Sequence, residues 1–281
     1  MPIYSVDLDF NPQAVNLYDN GGRYTDGWIL FRLLETAPFY LHTGGGLEGL
    51  FQVTISKKAT DWTFRLCDFI QYETALGKNI LLAVTEKDRL EAETRYAGHR
   101  FDDPFRREYE SPVLVHTTGP ESYALIRRDG CLKSWSLLHK EKALPEQLPI
   151  GARLLGDPRD YADYIAFSHG GAATEQVVAA RQKGTLEIDM DAPYLAGARL
   201  YFDAASIAAA GLLVRDGVHW KVKNRLPLQN HLLYSALPEE LGLPPQTTPR
   251  QFARAADAAF YAAFPDMNRL RPSVIQGNPR G

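Results

Sequence analysis

Apolar residues along the chain recur at two different periods, and the change of period predicts the elements. Ile3 to Leu8 (IYSVDL) alternates and predicts a first strand. Trp28 to Leu34 is a nearly unbroken apolar run that ends before Pro38. Leu50 to Ser56 (LFQVTIS) alternates again, and Asn79 to Thr85 (NILLAVT) predicts a buried strand. Between them, Thr60 to Tyr72 carries Trp62, Phe64, Leu66, Phe69 and Ile70 with no single clean period. Glu86 to Tyr96 is charge-rich, with Glu–Arg pairs at helical spacing, and predicts an exposed helix. The run His42-Thr43-Gly44-Gly45-Gly46 lacks a following Gly-Lys-Ser/Thr and is expected to be a plain glycine loop rather than a phosphate cradle. His99 to Glu110 is polar, dense in charge and interrupted by Pro104, which marks a linker or surface loop.

The second half centres on Pro112 to Ser134. Val113-Leu114-Val115 is β-branched and apolar, as a buried strand requires. It stops at His116-Thr117-Thr118-Gly119-Pro120, where hydroxyls and Gly-Pro open a turn. A helix follows, with Glu121 in its first turn and Gly130 as its stop. This order places an imidazole and two hydroxyls at the carboxyl end of a strand, where ligands bind in open sheets. A lone histidine after a strand is more often a satisfied structural residue than a ligand contact. Lys133 to Gly156 is irregular. Tyr161 to Ser168, Leu186 to Met190, Leu200 to Phe202 and Val218 to Val222 predict further strands; in the last, Val218, Trp220 and Val222 share one face and His219 and Lys221 the other. Ala172 to Gln182 and Ala204 to Ala210 read as helical. Thr248 followed by Pro249 predicts a capped start for a packing helix over 250–264, and the tail 275–281 is expected to fray.

Composition narrows the class. The chain has 281 residues, 45% of them hydrophobic and 23% charged, enough for one large domain or two small ones. A net charge of −3 lacks the basic excess of a general nucleic-acid coat, without excluding one local patch. Cys67 and Cys131 are the only cysteines, which excludes a disulfide framework and suits a reducing compartment. The acidic, broken N-terminus is not a signal peptide, and no apolar stretch reaches the ~18 residues of a membrane helix. A cytoplasmic protein is therefore expected. The seven histidines show no paired metal-ligand spacing.

Three places in the second half together resemble the ADP-ribosyltransferase superfamily, in particular the DarT-like DNA ADP-ribosyltransferase toxins and the RNA 2′-phosphotransferases. They are Val115-His116-Thr117-Thr118 with the helix and Gly130-Cys131-Leu132 behind it; Asp163 to Ser168; and the series Leu186 to Asp189, Arg199 to Phe202, Asp216 to Trp220 and Arg225 to Leu228. The residue patterns together with this resemblance, which covers only about Val113 to Leu233, give an α+β chain in three parts. These are an α+β region over 1–110 of unassigned role, a split mixed β-sheet core over 111–240, and a C-terminal helix and tail over 241–281. The resemblance implies NAD as co-substrate, with His116 and His219 catalytic and Thr117, Thr118, Tyr164, Ser168 and Tyr201 in the binding site. A nucleic acid or another macromolecule, such as a protein, would be the target. The chain departs from the pattern where DarT-like enzymes carry a catalytic glutamate, since His219 stands in the best-aligned position. Two other readings follow: an NAD-using RNA 2′-phosphotransferase drawing on Arg127, Arg128, Arg153, Arg159 or Arg199 for phosphate, and an inactive module that binds a nucleotide or a partner.

Overall fold

In a computed structural model, residues 2–11, 15–99, 110–143 and 148–268 are described. The chain order begins β1 (Ile3–Ser5), β2 (Trp28–Leu34), β3 (Leu41–Gly44), β4 (Phe51–Ser56), α1 (Trp62–Ala75), β5 (Asn79–Ala83) and α2 (Glu86–Gly98). It continues β6 (Val113–Thr118), α3 (Pro120–Asp129), β7 (Cys131–Lys133), α4 (Trp135–Lys140), α5 (Ile150–Leu154), β8 (Tyr164–Phe167) and α6 (Ala173–Lys183). It closes with β9 (Tyr194–Leu195), β10 (Ala198–Asp203), α7 (Ala204–Ala209), β11 (Leu213–Arg215), β12 (Trp220–Lys223), β13 (Arg225–Pro227), β14 (Leu232–Ala236), β15 (Gln246–Thr247), α8 (Pro249–Ala263) and α9 (Pro265–Asn268). The fold is α+β. Among the described residues, no helix is long and apolar enough to cross a membrane.

The chain forms two compact units that interleave in sequence. One comprises Met1–Arg100, Gly151–Tyr161 and Arg215–His219; the other comprises Phe101–Ile150, Ala162–Val214 and Trp220–Gly281.

The first unit is built on a five-stranded sheet of order β1-β5-β2-β4-β3, parallel except for β3. A parallel sheet is covered on both faces, so its central strands are nearly continuous apolar runs; β2 (WILFRLL) is one, interrupted only by Arg32, which donates to the Phe10 carbonyl at 2.6 Å. Ile29, Phe31 and Leu33 pack with Val53, Ile55, Ile80 and Leu82 on one face. Trp28 and Leu30 pack with Leu81, Ala83 and Tyr24 on the other. The missing period over Thr60–Tyr72 has a physical cause. Helix α1 is buried on several sides, from Trp62, Leu66 and Phe69 to Phe64 and Tyr72, and a helix covered all round shows no stripe. Thr85 caps α2 by accepting the Asp88 backbone N–H at 3.1 Å. The expected glycine loop at 42–46 is partly strand, because His42 and Thr43 pair with Thr54 and Val53.

In the second unit, β6 and β14 flank β10 antiparallel, in register Thr117↔Arg199, His116↔Leu200 and Val115↔Tyr201. Strands β8 and β12 pair antiparallel, and β6 meets β8 at a single bridge, Val115↔Ser168. On one face Leu114, Leu200, Phe202, Phe167, Ile165 and Val222 form a core. On the other, Val113, Val115 and Tyr201 pack against Ala256 and Phe260 of α8. The expected cap is present, with Thr248 Oγ1 accepting the Gln251 N–H at 3.1 Å.

Three expected strands come out differently. Leu186–Met190 is irregular: Ile188 packs beside Phe252, and the Met190 carbonyl accepts the Arg250 backbone N–H at 3.2 Å, so one packed side chain and one backbone bond to the start of α8 hold it in place of a strand ladder. The segment from Tyr161 begins as a 3₁₀ turn and becomes strand only at Tyr164. The strand expected from Val218 starts at Trp220, with Val218 in the first unit's core and Val222 in the second's. The stretch after Lys133 holds α4 and α5 rather than being wholly irregular. Most of the expected linker at 99–110 and all of the tail at 275–281 lie outside the described residues.

Phe260 is fully buried and stacks on Tyr201 at 4.3 Å between ring centres. Phe260→Ala is expected to cost about 3–5 kcal/mol of stability in urea unfolding.

Candidate functional site

The site is built on β6 and the corner that ends it. Period-2 geometry sends Leu114, His116 and Thr118 to one face and Val113, Val115 and Thr117 to the other, so the three polar residues His-Thr-Thr do not act together. Gly119 leads into α3 with Pro120 at its first position. Gly197, just before β10, crosses this corner so closely that a Cβ there would lie 2.3 Å from the Gly119 carbonyl carbon. The Gly197 N–H donates to the Thr118 carbonyl at 3.1 Å, so a residue without a side chain ties β10 to the end of β6.

His116 is half-buried at the point where β6 and β8 part after their one bridge. Its Nδ1 lies 3.1 Å from the Ala166 carbonyl oxygen, and its ring meets Phe167 edge-on at 5.9 Å. A carbonyl only accepts, so Nδ1 carries the proton. Burial pushes the His116 pKa below its usual value, against the opposing pull of the Ala166 carbonyl, and keeps the ring neutral. Nε2 is then a lone-pair acceptor. Thr118 is buried on the same face, with only a 3.4 Å contact from its hydroxyl to the Gly119 carbonyl.

Thr117 faces a different environment. Its hydroxyl donates to Glu175 Oε1 at 2.6 Å and lies 2.8 Å from the Thr174 hydroxyl. The same Glu175 oxygen accepts from Arg199 Nη1 at 2.6 Å, and Arg199 is fully buried. Arg199 also donates to Asp257 Oδ1 at 2.9 Å, to the Tyr201 hydroxyl at 2.9 Å and to the Gly171 carbonyl at 2.9 Å. Burial disfavours its charge, but Glu175 and Asp257 more than compensate and raise its pKa. These partners span β6, β10, the loop after β8, α6 and α8. The helical pattern over 172–182 leaves Glu175 on an exposed face, but the structure buries it completely because Arg199 needs its charge; nothing in the pattern singles out Asp257, and the one cue was an arginine inside the apolar run ARLYF. Arg199 is not available to a phosphate at the surface.

The remaining expected site residues are distributed as follows. Tyr201 is fully buried, stacked on Phe260, with its hydroxyl donating to Asp257 at 3.0 Å. Tyr164 is half-buried on β8, with Lys221 Nζ 4.3 Å from its ring centre and Lys223 Nζ at 5.9 Å. Ser168 Oγ is buried and has no hydrogen-bond partner among the described residues. His219 belongs to the first unit, in a turn closed by Asp216, and is not on strand β12. The expected strand alternation at that position therefore does not exist. The geometry gathers His116 and Thr118 on one face and assigns Thr117 and Tyr201 to the opposite one.

No family model, curated protein or solved structure matches the chain.

Removing one member of a buried ion network strands the others. Arg199→Met is expected to destabilise the protein by about 3–5 kcal/mol in urea unfolding, and Arg199→Met combined with Glu175→Gln to recover part of that loss, because the fully buried carboxylate is neutralised and only the partly exposed Asp257 keeps its charge.

Proposed function

We propose that the second unit is an NAD-dependent ADP-ribosyltransferase acting on a nucleic acid or another macromolecule. One observation carries this reading: a neutral imidazole, locked by the Ala166 carbonyl with Nε2 as an acceptor, stands where β6 and β8 diverge. A fixed acceptor of this kind suits a ribose hydroxyl, which needs a partner of defined position and no net charge. The resemblance of the His-x-Thr strand end and of the later segments to the superfamily supports it further.

The residues fit the sugar-binding part of NAD. His116 accepts from a ribose hydroxyl and Thr118 adds a hydroxyl on the same face, while the Tyr164 ring is taken up by the Lys221 ammonium. Tyr201 is committed to Phe260 and Asp257 and does not serve. NAD as co-substrate supplies the ribosyl carbon and nicotinamide as leaving group. The protein's part is to hold the sugar and exclude water around His116.

A second reading, an inactive nucleotide-binding module, is favoured by a separate fact. Glu175, the acid bonded to the strand, is committed to Arg199 and Thr117, and His116 has no carboxylate partner among the described residues. Developing positive charge on a ribosyl carbon calls for an anion, and this module would bind without transferring.

Labelled NAD incubated with separate pools of DNA, RNA and protein is expected to label one pool, and His116→Ala to abolish the label. Calorimetry is expected to show NAD binding weakened by about 1.5–3 kcal/mol in His116→Ala. Binding without label in any pool points to the module; no binding by the wild type at millimolar NAD overturns both readings. The depressed His116 pKa sets a sign: binding holds at neutral pH and falls as pH drops through the lowered pKa and the imidazole charges. The acid-side loss is expected to vanish in His116→Gln.

A further inference from the structure

The chain carries a net charge of −3, yet cations gather in the second unit where α3, β7 and α4 meet the corner between β12 and β13. Pairing of β7 with β13 sets Lys133 opposite Arg225. Asn224, with φ +60°, turns the chain from β12 into β13. Its carbonyl accepts the Ser134 N–H at 2.7 Å, which holds the N-cap of α4 against that corner. Lys133 Nζ reaches both ways, donating to Asp129 at the end of α3 at 2.7 Å and to Glu141 just past α4 at 2.6 Å. Arg127 and Arg128, in the last turn of α3, and Lys140 and Lys142, on either side of Glu141, are thereby gathered around one lysine.

The acids of this surface are already engaged. Asp129 also accepts from Arg128 at 2.7 Å, and Glu141 faces Lys133. Asp163, whose carbonyl accepts the Asn224 N–H at 2.8 Å, is half-buried. Arg127, Lys140, Lys142, Lys223 and Arg225 are exposed and form no ion pair among the described residues. Next to them, Trp135 and His139 lie one turn apart on α4 and stack in parallel, 4.7 Å between ring centres and 11° between planes. His139 is exposed, so the pair offers a flat aromatic face among uncompensated cations. A single strand uses both features, because its phosphates follow the charge and an unstacked base lies on the rings. A duplex keeps its base faces covered and uses the charge alone.

We propose that this surface binds a single-stranded nucleic acid, with Arg127, Lys140, Lys142, Lys223 and Arg225 at the phosphates and the Trp135–His139 stack beneath one base. The surface is independent of the transferase reading: none of these residues belongs to the His116 site, and the strand is held whether or not ADP-ribose is transferred.

Fluorescence anisotropy of the full chain with a labelled mixed-sequence single strand, as DNA and as RNA, tests this, and binding of either supports it. Raising salt from about 50 to about 200 mM is expected to weaken binding about a hundredfold, since five neutralised phosphates give a log–log slope of about −3.5 on a single strand. Lys140→Gln with Lys142→Gln, and separately Lys223→Gln with Arg225→Gln, are each expected to flatten that slope by about 1.4. Lys58→Gln with Lys87→Gln, exposed cations of the first unit, is expected to leave it unchanged. His139→Ala is expected to weaken the single strand about fivefold or more. No binding at the lower salt overturns the proposal, as does a wild-type slope in both paired variants. A duplex of the same sequence, polyglutamate or phosphatidylserine vesicles held as tightly as the strand also overturns it, by showing a contact that any polyanion satisfies.

Discussion

A guanidinium without access to water must be neutralised where it lies, and the second unit is arranged around meeting that demand for Arg199. Its donors reach Glu175 at the start of α6, Asp257 in α8, the Tyr201 hydroxyl on its own strand and the Gly171 carbonyl in the loop after β8. A hydrophobic contact tolerates sliding; a forked donor with fixed acceptors does not. The same Glu175 oxygen takes the Thr117 hydroxyl, so the position of β6 is set from the network side. His116, one residue before Thr117, is thereby held on the opposite face.

This division of labour between adjacent residues explains how a strand can be both core and site. Its network face is dry and fully committed. Its other face carries one imidazole whose remaining nitrogen accepts, next to the single bridge that joins β6 to Ser168. Gly197 closes the corner from β10, at a distance no side chain would allow. The proposed sugar-binding role depends on that rigidity, because an acceptor that wanders gives little orientation.

The first unit solves a different problem. Its parallel sheet is sealed by apolar side chains on both faces, while α1 and the 151–161 and 215–219 segments bring four carboxylates together with few cations. Burial there raises the carboxyls of Asp157 and Glu73, whereas the acids of the Arg199 network meet a guanidinium directly.

The sequence by itself determined the elements whose identity is local. Continuous apolar runs made β2 and β5, Thr85 and Thr248 capped their helices, and Val113–Thr118 ended in a polar corner before Pro120, because propensity, capping and turn chemistry act within a few residues. Only the tertiary structure decided which of His116, Thr117 and Thr118 share a face with which partner, that Tyr201 is locked under Phe260, and that Arg199 is buried among acids from distant segments. Alternation along Val218–Val222 failed for the same reason: Asp216 captures two backbone amides and delays the start of the strand to Trp220, an event set by a buried carboxylate and by Arg65, 153 positions before Val218. Periodicity reports which residues avoid water; it does not report which distant charge will meet them.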